Sequence, residues 1–163
     1  MVPTAQYLPR PAAANIYHMA ERAFDLSETY VHLGLGTTVR PLPGFSWSAA
    51  NMARYLREFS EDRDERRLVG IIQARHTWQH WECHLNGDEL VVLLSGKCHV
   101  IQEVDDTHNT VTLLPGQAMI NPRGVWHTTD VEEPGDSLFI AGGRRTIYRA
   151  RNRGDDGEGG TAA

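Results

Sequence analysis

The stretch Trp81–Gly96, WECHLNGDELVVLLSG, places a polar cluster directly before the apolar run LVVLL. Side chains alternate between the two faces of a β-strand, so one face of the strand before the NGD turn would carry Trp78, His80, Glu82 and His84. Buried polar groups need partners, and such a face therefore suits the lining of a cavity better than a dry core. The NGD turn then reverses the chain and can return Glu89 to the neighbourhood of His84. Alternatively, the cluster is a solvated turn in which Asp88 caps the reversal.

The segment from Leu68 to Arg149 consists of short apolar runs separated by turn sequences such as NGD, SG, PRG and EEPGD. Strands of this length, interrupted this often by turn residues, are typical of an antiparallel all-β sandwich or barrel. Within the segment, VDDTHNTV predicts a hairpin loop, and LLPGQ predicts a tight turn with Pro followed by Gly. We therefore predict an all-β fold for this part of the chain.

Before this segment, the chain predicts a short N-terminal strand and one helix. The strand is expected within Phe24–Gly34, where apolar residues alternate. The helix is expected over Ala49–Ser60, because its apolar side chains recur with helical spacing, and Ser46 or Ser48 would be its N-cap. These elements exceed what a minimal barrel needs. They are therefore expected to cover an open sheet edge or to exchange with a second subunit, which predicts a homodimer.

The length of the chain predicts a single domain over residues 21–149, with a motif-bearing core at about 68–149. Residues 1–20 are rich in Ala and Pro and predict a loose N-terminal arm. Residues 150–163 contain no apolar run and predict a disordered tail.

Composition argues against several classes of function. The net charge of -5 at pH 7 argues against nucleic-acid binding, which requires a basic face. No apolar run approaches the ~20 residues of a membrane-spanning helix, and the N-terminus lacks the charged-then-apolar order of a secretory signal. Cys83 and Cys98 are the only cysteines, and their context predicts neither a disulfide scaffold nor a metal knuckle. A cytoplasmic protein is therefore expected.

Two clusters of residues resemble the paired metal-site motifs of the cupin superfamily. The first motif of that family runs His-x-His, then Glu, then Gly after six further residues, and its spacings are kept here by Glu82, His84, Glu89 and Gly96. The second motif runs Gly, Pro, Gly and His, and the chain matches it with Gly116, Pro122, Gly124 and His127. The resemblance implies a cupin-type antiparallel β-barrel, or jelly roll, that commonly holds one divalent metal at its centre.

Two positions depart from the family pattern. Glu82 stands where the first motif has its first histidine, and Val131 stands where an asparagine often closes the second. The ligand set that the resemblance implies therefore has two imidazoles and two carboxylates: Glu82, His84, Glu89 and His127. Such a set suits Fe(II), Mn(II), Ni(II) or Zn(II), so one divalent ion per chain is implied without its identity. In a metal-free alternative, Glu82 and His84 pair with each other.

Four further residues are candidates for contact with a substrate. His80 shares a face with Glu82 and could transfer a proton or support a ligand, or it could be a rim histidine in solvent. Trp78 and Trp126 could line a pocket for a ring-bearing ligand or simply pack the barrel. Arg123, in the PRG turn, could meet an anionic substrate or be an ordinary surface residue. The remaining histidines are expected in the core or at the surface: His18, His32, His76, His99 and His108.

The resemblance implies small-molecule chemistry at a metal with an open coordination position. The leading hypothesis is a metal-dependent enzyme acting on a small oxygenated organic molecule, as a dioxygenase or as an isomerase or cyclase. The alternative from another class is a non-catalytic cupin that binds or senses a small molecule. A sugar-nucleotide epimerase of the cupin type ranks last, because those enzymes work without the metal motif that this chain keeps.

Overall fold

The computed structural model describes residues 23–142 and 145–152, which fold mainly as antiparallel β-strands. The N-terminal arm expected over residues 1–20, including His18, lies outside the described residues, as does the tail beyond residue 152. The strands before the jelly roll are β1 (Tyr30–Gly34) and β2 (Thr38–Leu42), and the helix is α1 (Ala49–Glu58). The strands that follow are β3 (Arg67–Ala74), β4 (His80–His84), β5 (Glu89–Leu93), β6 (Lys97–Val104), β7 (Thr107–Leu113), β8 (Ala118–Asn121), β9 (Trp126–Glu133), β10 (Gly135–Gly142) and β11 (Thr146–Ala150). Short 3-10 turns cover Leu35–Thr37 and Ser60–Glu65.

The strands form two sheets with a nested pairing. One sheet has the order β2-β1-β3-β10-β5-β8, and the other has the order β11-β4-β9-β6-β7. Eight strands form four nested antiparallel pairs: β3 with β10, β4 with β9, β5 with β8, and β6 with β7. These strands therefore fold as one long hairpin that is then rolled up. This is the double-sheet jelly roll. The predicted all-β jelly roll is confirmed, but the two sheets are not closed into a barrel.

The N-terminal strand and helix extend one sheet and cover its end. Strand β1 pairs with β3, so it covers an edge that the jelly roll alone would expose. The predicted helix is present, and Ser48 is its N-cap, because the Ser48 side chain accepts a hydrogen bond from the Asn51 backbone. It ends at Glu58, two residues before the expected end, where the chain tightens into the 3-10 turn.

A core cluster joins this N-terminal region to the jelly roll. Its buried members come from the loop before α1, from α1 and the residue that follows it, and from the strands β3 and β10: Phe45, Tyr55, Phe59, Leu68, Phe139 and Ala141. His32 is fully buried beside this cluster, with its Nδ1 3.0 Å from the Tyr55 hydroxyl and its Nε2 2.9 Å from Asp62 Oδ2. Both ring nitrogens are thus satisfied, as expected of a core histidine.

The turns between strands follow their local sequence. Asp105 and Asp106 both have positive φ, at 49° and 60°, and form a two-residue turn between β6 and β7. In LLPGQ, the Gln117 backbone donates to the Leu114 carbonyl, which closes the predicted tight turn. Gly96, the last residue of the first motif, has φ of 80°, and a Cβ there would lie 2.5 Å from the Glu133 carbonyl oxygen. Only glycine fits this position without strain.

No helix among the described residues is long and apolar enough to span a membrane.

Candidate metal centre

The two motifs meet where β4, β5 and β9 lie close together. Glu82 and His127 are direct partners across β4 and β9, so their side chains leave the same face of the sheet. His84 ends β4 and Glu89 begins β5, on either side of the NGD turn. The structure therefore brings together the four residues of the implied ligand set.

Hydrogen bonds between the NGD and PRG turns hold the motifs in register. The Arg123 backbone N–H donates to Asp88 Oδ1 at 2.8 Å, and the Gly124 backbone N–H donates to the His84 carbonyl at 2.8 Å. Gly124 has φ of 81°, a backbone conformation that favours glycine. The Asp88 carboxylate thus spans from one turn to the other and fixes the separation between His84 and His127.

The four side chains converge on one point. Glu89 Oε2 lies 3.4 Å from His84 Nε2 and 3.3 Å from His127 Nε2, and Glu82 Oε1 lies 3.8 Å from His84 Nε2. The ligand atoms offered by Glu82, His84 and His127 all lie within 4.8 Å of one another. Imidazole nitrogens and carboxylate oxygens at this separation form a donor set that first-row transition metals accept.

The orientation of both imidazoles is determined by their Nδ1 atoms. His127 Nδ1 faces the Val125 carbonyl at 3.2 Å and so donates its proton there, while His84 Nδ1 lies 2.9 Å from Thr146 Oγ1. With Nδ1 as the donor, His127 directs Nε2 to the centre, as metal-binding histidines do. Both Nε2 atoms are buried, and neither has a hydrogen-bond partner among the described residues. Buried polar atoms are rarely left in this state, so the site fits a metal ion.

The pKa values of the two carboxyl groups in the centre shift in opposite directions. Burial acts to raise the pKa of Glu89, but the imidazoles of His127 and His84 beside the carboxylate outweigh it and lower that pKa to about 2. Burial raises the pKa of Glu82 above its usual range, despite the neighbouring His84. Burial also acts to lower the pKa of His84, yet the adjacent Glu89 and Glu82 carboxylates outweigh this effect and raise the pKa. Glu89 is thus the stronger anion of the pair.

A buried amide relay holds Glu89. Asn121 Nδ2 donates to Glu89 Oε2 at 2.9 Å, and Gln102 Nε2 donates to Asn121 Oδ1 at 2.8 Å. Gln102 also donates to the Ile120 carbonyl, so its amide orientation is fixed by two acceptors. Asn121 and Gln102 were not predicted as site residues, because two long-range registers bring them there: β5 with β8, which pairs Glu89 with Asn121, and β6 with β9, which pairs Gln102 with His127.

A cavity of about 380 Å³ opens from the centre. Glu82, His84 and Glu89 lie at one end of it. The other walls are mainly apolar and aromatic: Trp47, Ile72, Trp78, His80, Phe139 and Tyr148. A concave, largely apolar volume with a few convergent polar groups is the usual form of a small-molecule site.

The predicted substrate residues divide into two groups. Trp78 and His80 line the cavity, with their rings stacked at a centroid distance of 5.2 Å. Arg123 and Trp126 are not among the residues that line it. The Trp126 ring instead lies under the Arg149 guanidinium at 4.7 Å. Because Trp126 directly precedes His127 in β9, strand alternation directs its side chain to the opposite face of the sheet.

Three of the cavity residues that the sequence analysis missed have polar side-chain groups. Trp47 comes from the loop before α1, while Thr146 and Tyr148 come from β11. In the register of β11 with β4, Thr146 pairs with His84 and Tyr148 pairs with Glu82. Strand alternation in RTIYRA could have assigned Thr146 and Tyr148 to one face, but no local signal identified β4 as the partner strand.

The nested strand order and the placement of both motifs around one cavity define a protein of the cupin fold. No protein-family model matches the chain, and no curated protein does.

Several solved structures resemble it in part. Hydroquinone 1,2-dioxygenase from Sphingomonas sp. TTNP3 is 19% identical, with a TM-score of 0.38, and the match covers 46% of this chain and 58% of that enzyme. A cupin-2 domain protein from Shewanella frigidimarina is 20% identical, with a TM-score of 0.40, over 47% of this chain and 70% of that chain. Peruvianin-I, a cysteine peptidase from Thevetia peruviana latex, is 16% identical, with a TM-score of 0.42, over 53% and 55%. The chain thus spans a little more than half the length of the dioxygenase. Its function has to be argued from its own site.

Proposed function

We propose that this chain is a metal-dependent enzyme that acts on a small oxygenated organic molecule, by oxygenation or by isomerisation or cyclisation. The observation that carries the proposal is the pair of buried, unpartnered Nε2 atoms of His84 and His127, which face two carboxylates at the end of a cavity. Glu82, His84, Glu89 and His127 would hold the ion. Two imidazoles and two carboxylates suit Fe(II), Mn(II), Ni(II) or Zn(II).

A divalent ion held there would supply Lewis acidity toward a bound oxygen atom or, as iron, activation of dioxygen. The protein groups would bind and orient the substrate. The apolar walls exclude water from the reacting atoms. His80 lies on the cavity wall next to Tyr148, with ring centroids 5.5 Å apart, and is the group positioned to move a proton to or from a substrate in the cavity.

A specific observation favours a second function, that of a non-catalytic binding or sensor protein. The Glu89 carboxylate lies within 3.4 Å of both imidazoles, so protonated histidines could form an ion-paired cluster with no metal. The same cavity would then bind a small molecule without transforming it.

Elemental analysis distinguishes the two functions. The protein is purified without chelator and without an affinity nickel column, beside His84→Ala and Glu82→Gln. About one equivalent of a transition metal, lost in His84→Ala, supports the enzyme, and retention in Glu82→Gln would remove Glu82 from the required ligands. Absence of metal in every preparation, with none taken up from added Fe(II), Mn(II), Ni(II) or Zn(II), would overturn the proposal in favour of the binding protein.

We further propose that the protein is a cytoplasmic homodimer. Sedimentation velocity of the full chain tests the oligomeric state.

Loss of the amide that holds Glu89 is expected to weaken metal binding without unfolding the protein. Asn121→Ala removes the donor to Glu89 Oε2 and leaves that carboxylate free to turn. Substitutions of such outer partners lower metal affinity by about 10–100-fold, and titration with a fluorescent competitor chelator measures the change.

The control for this experiment is Asn86→Ala. The Asn86 amide makes an exposed hydrogen bond to Asp64 instead of one at the centre. Equal metal affinity of Asn121→Ala and the wild type would mean that the amide relay does not position the ligand set.

A further inference from the structure

A second cavity of about 480 Å³ adjoins the first beside α1. The two share four wall residues: Trp47, Gly142, Thr146 and Tyr148. Trp47 is 50% exposed and Tyr148 is 59% exposed, although both are large aromatic side chains that have a face toward the cavities. We call the joined volumes the cleft, with an inner end at Glu82 and an outer end beside α1. A ligand larger than the inner cavity can extend past Trp47 and Tyr148 into the outer one.

Rigid aromatic rings border the cleft where its two parts join. Trp47 is held in place because its Nε1 donates to the Tyr30 hydroxyl at 3.1 Å and its ring meets the edge of Phe45 at 5.6 Å. On the other side, the His80 ring stacks on Trp78 and meets the edge of Tyr148. Fixed aromatic faces bind a planar ring better than a saturated one, since aromatic pairs gain energy beyond the area that they bury.

The outer end of the cleft carries a positive charge. Among the described residues that line it, Arg145 is the only charged one, and the others beyond the shared wall are apolar: Ala49, Met52 and Leu56. No ion pair joins Arg145 to another described residue. Arg145 also has φ of 58°, a left-handed backbone conformation that is uncommon outside glycine. The cleft is therefore polarised, with carboxylates at its inner end and a guanidinium at its outer end.

We propose that the cleft binds a ring-bearing carboxylate, with its planar ring between Trp47 and Tyr148 and its carboxylate at Arg145. In the metal-free protein, a carboxylate at the inner end would meet Glu82 and Glu89, so charge favours the orientation with the ligand carboxylate at Arg145. This inference deepens the proposed function and relies on it only for the chemistry at the inner end. The binding of the ring and of the carboxylate requires no metal.

The test measures binding of matched probes to the full chain by tryptophan fluorescence and calorimetry. The charged probes are benzoate, phenylacetate and 3-phenylpropionate, whose differing lengths span different fractions of the cleft. Each is compared with its primary alcohol, which lacks the charge, and with its cyclohexyl analogue, which lacks the planar ring. At least one carboxylate is expected to bind about 10-fold more tightly than its alcohol and about 5-fold more tightly than its cyclohexyl analogue.

Single substitutions test whether Arg145 causes the preference for the carboxylate and whether Trp47 causes the preference for the planar ring. Arg145→Gln is expected to abolish the preference for the carboxylate over the alcohol, and Arg145→Lys is expected to keep part of it. Arg123→Gln is the matched control, because Arg123 lines neither part of the cleft. Trp47→Leu is expected to abolish the preference for the planar ring while leaving the preference for charge.

Each titration is run with metal-loaded and with metal-depleted protein, so that this inference and the proposed function can fail separately. If the protein takes up no added metal and still shows the same binding preferences, the result would support the cleft and overturn the proposed enzyme. The inference is overturned if no carboxylate binds better than its alcohol, or if the preference survives in Arg145→Gln.

Discussion

His127→Ala is expected to yield a folded protein that no longer retains a transition metal. His127 is fully buried, its Nδ1 is committed to the Val125 carbonyl, and its Nε2 faces the centre without a hydrogen bond from the described residues. Removal of the imidazole therefore takes away a donor that no neighbouring side chain replaces. The fall in affinity is expected to exceed the about 10–100-fold that follows from loss of an outer partner. Metal content after gel filtration, with circular dichroism as the check of folding, measures the result.

His99→Ala is the control for this prediction. His99 is a surface residue on β6, and its ring nitrogens lie 2.9 Å from Thr112 Oγ1 and 2.9 Å from Glu132 Oε2. Its substitution should leave metal content unchanged. Stoichiometric metal in His127→Ala would contradict the centre described above, and loss of metal in both variants would indicate a general effect on folding.

Gly135→Ala is expected to cost more stability than alanine at any other glycine among the described residues. A Cβ at Gly135 would lie 1.9 Å from the Ser95 carbonyl oxygen and 2.8 Å from the Gly96 Cα. These are backbone atoms, so the clash cannot be relieved by a rotamer change, and the strands must separate. We expect a loss of about 3 kcal/mol in the free energy of unfolding, at the upper end of overpacking costs. Chemical denaturation followed by tryptophan fluorescence measures it.

Gly87→Ala provides the matched comparison, since a Cβ at Gly87 would meet no atom within 4 Å. Its free energy of unfolding should stay within about 0.5 kcal/mol of the wild type. The clash also bears on the metal centre, because Ser95 and Gly96 follow β5, the strand that begins with Glu89. A Gly135→Ala protein as stable as Gly87→Ala would mean that β10 does not approach the β5–β6 turn as described.

Some features of the site were predictable because their signals are local in the chain. Spacing within WECHLNGDE identifies Glu82, His84 and Glu89, and strand alternation directs Glu82 and His84 to one face. The same rule could have excluded Trp126, because adjacent residues of a strand face opposite sides and His127 faces the centre.

Other features depend on which strands become neighbours, and no local pattern encodes this. Asn121 reaches Glu89 only through the pairing of β5 with β8, and Tyr148 reaches the cavity only through the pairing of β11 with β4. A closed barrel was expected, but the strands form two separate sheets, and the local sequence could not distinguish the two arrangements for a related reason. Apolar alternation predicts that strands have a buried face, but it does not determine whether a sheet closes on itself.

The sequence by itself determined the class of fold, the helix with its cap at Ser48, and the four side chains that meet at the centre, because periodicity, capping and motif spacing are short-range properties. Tertiary structure alone decided that Trp47 and Tyr148 border the cavity and that Arg145 lies at its outer end. These residues are brought together by contacts between distant parts of the chain. Such contacts arise from the packing of whole elements, so a cavity wall becomes visible only once the sheets and α1 are in place.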